Sequence, residues 1–549
     1  MNAATMALLA LLATLATTAR VFATLGLSIV TGWLLGYLAI KSKAFESVYV
    51  SLSGVLESVP VISFFPIALL FFVRTIGGYL GVELAADFLV FTAVVWNIWM
   101  GIYQAFKTIP VPMLEAVENL RYGFVSKMLK LYIPYSIPRI AANLLPSFAD
   151  AYFYITVSEV FSIGTTSYRV FGVGSLLAYL SASGLYEYVY ITLAVLFATV
   201  SLFVVLLRRF AVWSVARYGI ESAATPRRRG TGRWRAVSRF YISTFSRLRS
   251  LRQVGGRVII APRYQSLPLR RIVERQLELS ERAINRALQV VGVVILALIV
   301  YGSARVVLSV PPSTWAYLWG QTAPILVGLA YDYARVAVIA GVSFVIALFV
   351  GYWLAFHRRA EAVAVPVIQA ISAMPAPTYF PLIFAATYAI VARVAGPLSN
   401  ELYVVVLGFI STFYYIFYSY WLGVKALPVE VLELMDNLNM GFFKKLRKIV
   451  IPGTLPYIVT GLTSTIDSAW GGLMIGEYWP NITGDRNLMV THGILKIIDV
   501  ATAQGNIALA AYASLIFGIF VVAFAMGFTR HLMELSRKKY VIEESIFAA

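Results

Sequence analysis

Residues 110–134 read PVPMLEAVENLRYGFVSKMLKLYIP, and residues 428–452 read PVEVLELMDNLNMGFFKKLRKIVIP. Extended to residues 159 and 477, the two stretches align without a gap and share 17 of 50 positions. The identities include Pro110/Pro428, Glu115/Glu433, Gly123/Gly441, Lys127/Lys445, Pro134/Pro452, Pro138/Pro456 and Glu159/Glu477, all at one offset of 318. The likeness runs outward as well. Pro60, Phe65 and Pro66 face Pro375, Phe380 and Pro381 at an offset of 315, and Gly184 and Arg209 face Gly505 and Arg530 at 321. Small drifts in offset are what loop insertions between fixed helices leave behind. A repeat covering most of a chain sets its architecture before any local reading. The chain reads as two copies of one module.

Composition identifies the solvent in which the copies fold. Hydrophobic residues make up 60% of the 549 positions and charged ones only 13%, with a mean hydropathy of +0.79. Soluble domains do not reach these values. Apolar stretches fall at roughly 17–40, 60–80, 88–108, 137–162 and 187–209 in the first half. In the second they fall at roughly 288–309, 330–356, 375–393, 402–424, 455–478 and 506–530. Each is long enough to cross a bilayer as a helix. The expected fold is an all-α polytopic membrane protein of about 11 helices, in two tandem parallel-repeat modules of five to six helices each. Residues 1–212 form the first module, 213–286 a linker and 287–549 the second. No Gly or Pro interrupts the chain between Asn2 and Leu25, so residues 1–16 are expected to continue into one long helix through Arg20 rather than form a separate span. Residues 1–19 hold no Lys or Arg, and no removable signal peptide is expected. The chain has no Cys, which excludes disulfides, thiolate metal sites and cysteine nucleophiles.

Charge placement orients the helices. Between Arg208 and Arg286 stand nineteen Arg, no Lys or Asp and four Glu. Membrane proteins keep such Lys/Arg excess on the cytoplasmic side. Counting spans outward from a cytoplasmic linker puts KSK at 41–43, HRR at 357–359, both repeated segments and RKK at 537–539 on that same side. Basic arms also bind nucleic acid. A linker between two membrane modules without a nucleic-acid fold is better read as lying at anionic headgroups, so lipid is expected as a partner and nucleic acid is not. Spaced Leu, Ile and Val between charges from Leu269 to Arg286 fit an amphipathic surface helix.

Each copy of the repeated segment opens on a proline, tolerated in a first helical turn. A short acidic helix follows, then Gly123 or Gly441, then a basic amphipathic run to Ile-Pro. The two glycines suit a positive φ or a close backbone approach. A helix–Gly–helix protrusion kept through a duplication has the form of a plug for a protein cleft.

The segment resembles the EAA signature of ABC importer permeases. Glu115-Ala116-Val117 and Glu433-Leu434-Met435 stand at the acidic start, and Leu131-Tyr132-Ile133-Pro134 and Ile449-Val450-Ile451-Pro452 at the end, with the family's spacing of nineteen residues from Glu to Pro. This sequence departs from the pattern where Arg121 and Asn439 hold the usual Gly position, with Gly two residues later, and where the second copy lacks both alanines. ESVPVISFFPIALLFF at 57–72, AISAMPAPTYFPLIFAAT at 370–387, VSEVF at 157–161 and IGEYW at 475–479 are similar to the nitrate/sulfonate/bicarbonate/taurine branch. The resemblance implies a type I importer-like fold and a membrane-spanning permease that takes a solute, such as a small anion, from an extracellular solute-binding protein. It implies two cytoplasmic ATP-binding subunits seated on the coupling residues Glu115, Ala116, Gly123 and Pro134, and on Glu433, Gly441 and Pro452.

No GxxxxGK[ST] phosphate loop is present, so ATP hydrolysis is expected in partner subunits and not here. His357, His492 and His531 are scattered, no metal or cofactor site is expected, and no paired catalytic carboxylates present themselves. Asp150, Glu159, Asp467 and Glu477 fall within apolar stretches, where ionisable groups line pathways or join helices. Glu159 and Glu477 suit a pairing role at outer helix ends, and Asp150 and Asp467 suit a pathway. Gly461, Ser464, Ser468, Gly471 and Gly472 permit close packing near the module interface. The alternative is a secondary transporter built from parallel repeats and driven by an ion gradient. It gives no reason for two matched cytoplasmic plugs.

The topology is testable because the chain has no native thiol. Cysteines introduced at Ser243 and Ser536 should react with impermeant reagents only from the cytoplasmic side. Labelling of Ser243→Cys from outside intact cells would overturn the orientation.

Overall fold

The computed structural model describes residues 2–58, 68, 71–73, 75–120, 122–163, 166–218, 311–483, 486–529 and 531–532. The linker beyond residue 218, the expected span 288–309 and most of 60–80, with Pro60, Phe65 and Pro66, lie outside the described residues. So do Arg121, Arg530, the 537–539 cluster, Ser243 and Ser536. The chain divides into two compact units. The larger draws on residues 1–107, 139–212 and 301–549, and the smaller on 108–138 and 213–300.

The first half contributes α1 (Ala3–Lys41), α2 (Lys43–Ser58), α3 (Gly78–Lys107), α4 (Val111–Asn119), α5 (Phe124–Lys127), α6 (Ile133–Ser158), α7 (Val173–Ala182) and α8 (Tyr186–Tyr218). The second contributes α9 (Pro312–Gly320), α10 (Thr322–Ile346), α11 (Tyr352–Phe356), α12 (Arg358–Ser372), α13 (Ala376–Ala395), α14 (Ser399–Lys425), α15 (Val429–Asn437), α16 (Phe442–Lys445), α17 (Ile451–Glu477), α18 (Ile494–Ala503) and α19 (Ile507–Phe524). Among the described residues, seven helical stretches are long and apolar enough to cross a membrane. One of them, Ala376–Lys425, is the pair α13 and α14, joined by a 3-10 step over Gly396–Leu398. The fold is all-α and polytopic. Two antiparallel hairpins, β1 (Val160–Ile163) with β2 (Thr166–Arg169) and β3 (Tyr478–Trp479) with β4 (Leu488–Met489), are additions that apolar periodicity does not reveal.

Helix α1 runs unbroken for 39 residues, so residues 3–16 continue into the same helix as Arg20. At 1.5 Å per residue it is about 58 Å long, nearly twice a hydrocarbon core of about 30 Å. Its buried face is rich in small and hydroxyl residues. Thr14 and Thr18 donate to the carbonyls of Ala10 and Thr14, at 2.7 and 2.6 Å, so these hydroxyls need no water.

In the larger unit, α17 is the central helix of the second half. Trp470, 1% exposed, meets Tyr333 of α10 and Phe517 of α19 with ring centroids 5.1 Å apart in each case. Glycines let α17 lie against α14: a Cβ at Gly472 would come within 2.8 Å of the Gly408 Cα, and one at Gly461 within 2.8 Å of the Ile416 Cα. Gly471 faces the other half, where a Cβ would stand 3.0 Å from the Tyr154 hydroxyl. The small residues expected at the module interface therefore divide. Gly471 serves that interface, whereas Gly461 and Gly472 seat α17 within its own half.

Backbone irregularities repeat along with the sequence. Single π-helical turns at Met128–Tyr132 and Leu446–Val450 share the offset of the repeated segment and lie just before the Ile-Pro pairs. Pro134 and Pro452 cannot donate to the helical ladder, which permits this wider turn beside them. Gly184 (φ 68°) and Gly505 (φ 73°) adopt the left-handed conformation after α7 and α18. There Leu185 and Asn506 donate back to Leu180 and Ala501, at 3.0 and 2.8 Å.

The conformation expected of Gly123 and Gly441 needs correction. Both have ordinary extended backbones, with φ −67° and −65°, as N-caps of α5 and α16. In the second copy the left-handed residue is Asn439 at φ 46°, two positions before Gly441. Asn tolerates that region where most side chains do not, because its short polar side chain can bond locally.

Packing of α17 on α14 yields a measurable expectation. Gly472→Val should lower thermal stability in detergent by an amount equivalent to about 1–3 kcal/mol through overpacking. Gly341→Ala should not lower it, since a Cβ there meets nothing within 4 Å.

Candidate functional site

Charges inside apolar helices must find partners, and the chain solves this twice. In the second half Arg335 of α10 uses all five N–H donors. Its Nε and Nη2 form a fork on Glu401 of α14, at 2.7 and 2.9 Å. Its Nη1 reaches Asp332 at 2.6 Å and Glu477 at 3.0 Å, and Nη2 also reaches the His492 carbonyl at 2.6 Å. The remaining carboxylate oxygens accept backbone N–H groups at the start of α18, Ile494 to Asp332 at 2.9 Å and Lys496 to Glu477 at 3.0 Å. A helix N-terminus suits such anionic acceptors.

In the first half Arg20 of α1 pairs with Glu83 of α3 and, at 3.2 Å, with Glu159 at the end of α6. Glu159 also accepts from Gly174 N at 2.6 Å and from the Thr17 hydroxyl at 2.6 Å, and Thr17 in turn accepts from Val173 N at 3.0 Å. Arg20/Arg335 and Thr17/Asp332 repeat at an offset of 315, Glu83/Glu401 and Glu159/Glu477 at 318, and Val173/Ile494 at 321. The two nodes therefore share a plan, with Thr17 where the second has Asp332. Gly172 and Gly493 pack against Glu159 and Glu477, where a Cβ would overlap the carboxylates. Val170 N donates to Glu159 O at 2.9 Å and Val490 N to Glu477 O at 3.1 Å, tying each hairpin to its node.

Of these residues the sequence reading singles out only Glu159 and Glu477. Both are fully buried, each held by an arginine and a backbone N–H, and neither lines the cavity described below. Arg20, Glu83, Asp332, Arg335 and Glu401 escape it. Their signal is present, because they are charges within apolar stretches that recur at the offsets of the flanking matches, with Thr17 as the first-half counterpart of Asp332.

A second repeated pair stands at the other end of α3 and α14. Glu46 meets Lys107 at 2.5 Å, and Glu361 meets Lys425 at 2.7 Å. The Lys107 ammonium, with the Tyr103 hydroxyl, holds the Glu46 carboxyl below its usual range. These are exposed pairs of small energetic weight.

Asp150 and Asp467 come together elsewhere. They line one cavity of about 280 Å³ with Glu57, in walls drawn from both halves. Tyr154, Tyr414 and Tyr415 complete much of the wall, and the Tyr415 hydroxyl donates to Asp150 across the halves. Asn97, Asn143, Ser464 and Ser468 add neutral polar groups, and among the described residues no Lys, Arg or His lines the cavity.

The repeated segments expose what a docking element needs. In the smaller unit Glu115 and Ala116 are exposed on α4, beside Val111 (63%) and Leu120 (61%), with Val125 and Leu129 beyond. In the larger unit Glu433 is exposed beside Leu434, Leu438 and Phe443, the last 73% exposed. There Met435, Met440 and Leu446 are buried against Tyr420 and Val424 of α14, so one face anchors the segment while the other stays bare. Pro134 and Pro452 are half-buried behind their π turns.

Residues 343–534 match the family model of binding-protein-dependent transport system inner membrane components. That range contains the second repeated segment, Asp467 and Glu477. A comparison with curated proteins finds no match. The C-terminal half thus carries a membrane domain of transport-permease type.

Removing the arginine of a node leaves buried carboxylates without a counter-charge. Arg335→Met should destabilise the protein by about 3–5 kcal/mol, read as a fall in melting temperature in detergent. Arg335→Lys should recover only part of it, because an ammonium cannot reproduce the fork on Glu401.

Proposed function

We propose that the chain is the membrane-spanning permease of an ATP-driven importer, with residues 1–212 and 287–549 as two fused, pseudo-twofold modules. The observation that carries this reading is the duplicated segment. Two short helices, related by an offset of 318, keep an acidic start, a glycine cap, a π turn and a bare apolar face. Exposed apolar patches on an otherwise anchored element fit protein docking. Two cytoplasmic ATP-binding subunits take the two segments, through Glu115, Ala116, Gly123 and Pro134 and through Glu433, Gly441 and Pro452. Closure of those subunits on ATP moves the helices that continue from each segment, α6 and α17. These helices carry Asp150 and Asp467 into the cavity, so docking and pathway belong to one continuous stretch of chain in each half. An extracellular solute-binding protein delivers the solute to the opposite face.

Sidedness follows from charge and length. Arg20 and Lys41 are separated by about 31 Å of helix, close to one hydrocarbon thickness. The Lys41 and His357–Arg359 clusters, with the Arg-rich linker, belong on the cytoplasmic side, and the two arginine nodes belong near the outer face. A gradient-driven transporter lacks a use for two bare cytoplasmic segments. The branch resemblance points to a small anion such as nitrate, sulfonate or bicarbonate, but a cavity whose charged lining is acidic among the described residues weighs against that class.

The purified chain should show no ATPase activity alone and should retain two nucleotide-binding subunits per chain. Gly123→Asp with Gly441→Asp tests the docking sites. Aspartate is a good N-cap, with an expected effect on folding of no more than a few tenths of a kcal/mol, and a Cβ at Gly441 meets nothing of this chain within 4 Å. Normal insertion with loss of ATPase co-purification and of uptake is expected. Full uptake would return the segments to ordinary loops.

A further inference from the structure

Which solute the cavity accepts follows from what its wall offers. Three carboxylates, from Glu57 of α2, Asp150 of α6 and Asp467 of α17, reach one space of about 280 Å³, and no basic side chain of the described residues does. The acids differ in their ties. Asp150 accepts the Tyr415 hydroxyl. Asp467 is deeply enclosed by protein yet takes no hydrogen bond and no salt bridge from a described residue, so its carboxylate is available to what enters the cavity. The node acids are the internal contrast. Glu159 is held by Arg20, the Gly174 N–H and the Thr17 hydroxyl, and Glu477 by Arg335 and the Lys496 N–H, so each has a counter-charge that Asp467 lacks among the described residues.

An anion entering this space would meet like charges at low dielectric, and among the described residues the wall offers it only neutral donors, such as the Trp96 indole N–H and the Asn and Ser side chains, with no positive charge to offset that repulsion. A cation would meet the opposite. Phe153 and Tyr154 stand 5.2 Å apart, and Tyr414 and Tyr415 stand 4.4 Å apart, so aromatic faces and hydroxyls accompany the carboxylates. Aromatic rings attract ammonium and guanidinium groups and bind a strongly hydrated metal ion less well. Among the described residues no three His, Cys, Asp or Glu side chains are grouped closely enough to hold a metal ion. We infer that the cavity passes a small organic cation, a solute bearing an ammonium or guanidinium group, with Asp467 and Asp150 as its counter-charges and the tyrosines as its walls. This inference rests on the cavity being the solute path of the permease.

The test needs neither the ATPase nor the binding protein, so its outcome is separate from that of the permease reading. Because the chain has no cysteine, Ser464→Cys places a single thiol on the cavity wall, one turn from Asp467. The purified full chain in lipid nanodiscs is reacted with a trimethylammonium-ethyl and a sulfonatoethyl methanethiosulfonate, each rate normalised to a free thiol. The cationic reagent should be faster by about tenfold, as for a cleft lined by one sign of charge. Asp150→Asn with Asp467→Asn should bring the ratio close to one while leaving the melting temperature of the chain within a few degrees. Choline should slow the reaction, and sodium nitrate at equal ionic strength should not. An anionic reagent that reacts as fast or faster, or protection by nitrate, overturns the inference. Protection by calcium in preference to choline overturns the organic assignment, and protection by none of the three overturns it as well. In each of these cases retention of two ATPase subunits still decides the permease reading by itself.

Discussion

An arginine within an apolar helix cannot remain unpaired, and the way Arg335 is paired organises the second half of the molecule. Its guanidinium joins α10 to α14 through Glu401, to the end of α17 through Glu477, and to the loop before α18 through the His492 carbonyl. The planar fork of arginine makes such multiple contacts possible. Because the carboxylates also cap the N-terminus of α18, the short helix and its hairpin are fixed by the same group that neutralises the buried charge. Arg20 does the same for α1, α3, α6 and α7 with fewer donors engaged. A buried ion pair is weak support for stability in itself, since desolvation offsets much of the attraction. Its strength here is geometric: four elements meet in one arrangement, and slipping any of them strands a charge.

The intramembrane acids consequently belong to two populations. Glu159, Glu477 and Asp332 are fully buried, and each has an arginine or backbone N–H donor on both carboxylate oxygens. Asp150 and Asp467 face a cavity with tyrosines and no basic group among the described residues. They sit on α6 and α17, and the node acids Glu159 and Glu477 follow at the ends of those same helices, about two and a half to three turns further on. One helix in each half thus holds a clamped charge at its end and an accessible charge nearer its middle. In the proposed importer, such a helix carries displacement from the repeated segment at its start to the cavity wall.

Asn439 explains how the second repeated segment turns without a glycine in the left-handed position between its two short helices. The chain needs one left-handed residue between the two short helices, and asparagine supplies it at φ 46°. Gly441 is then free of any torsional demand, and as an N-cap in open space it suits an approach from outside rather than the turn itself. The π turn that follows, set beside a proline with no N–H, gives the junction with α17 a looser ladder than the helix beyond it.

The matching stretches at 110–159 and 428–477, the apolar character of the chain and the unbroken helix through Arg20 are legible in the residues alone, because each is a property of neighbours in the chain or of a fixed offset. Periodicity and charge are local, and a repeat is visible in one dimension. Which acids are structural and which face the cavity is a matter of three dimensions. Asp150 lies on α6 and Glu159 at its end, and they differ in what stands opposite: Arg20 of α1 for Glu159, and Tyr415 of α14 for Asp150. Helix azimuth and the partner brought to it set the fate of a buried carboxylate, and neither is written in the residues beside it. The same holds for Gly123 and Gly441, whose extended backbone follows from capping the next helix, while the left-handed demand falls on Asn439, two positions earlier in the second copy.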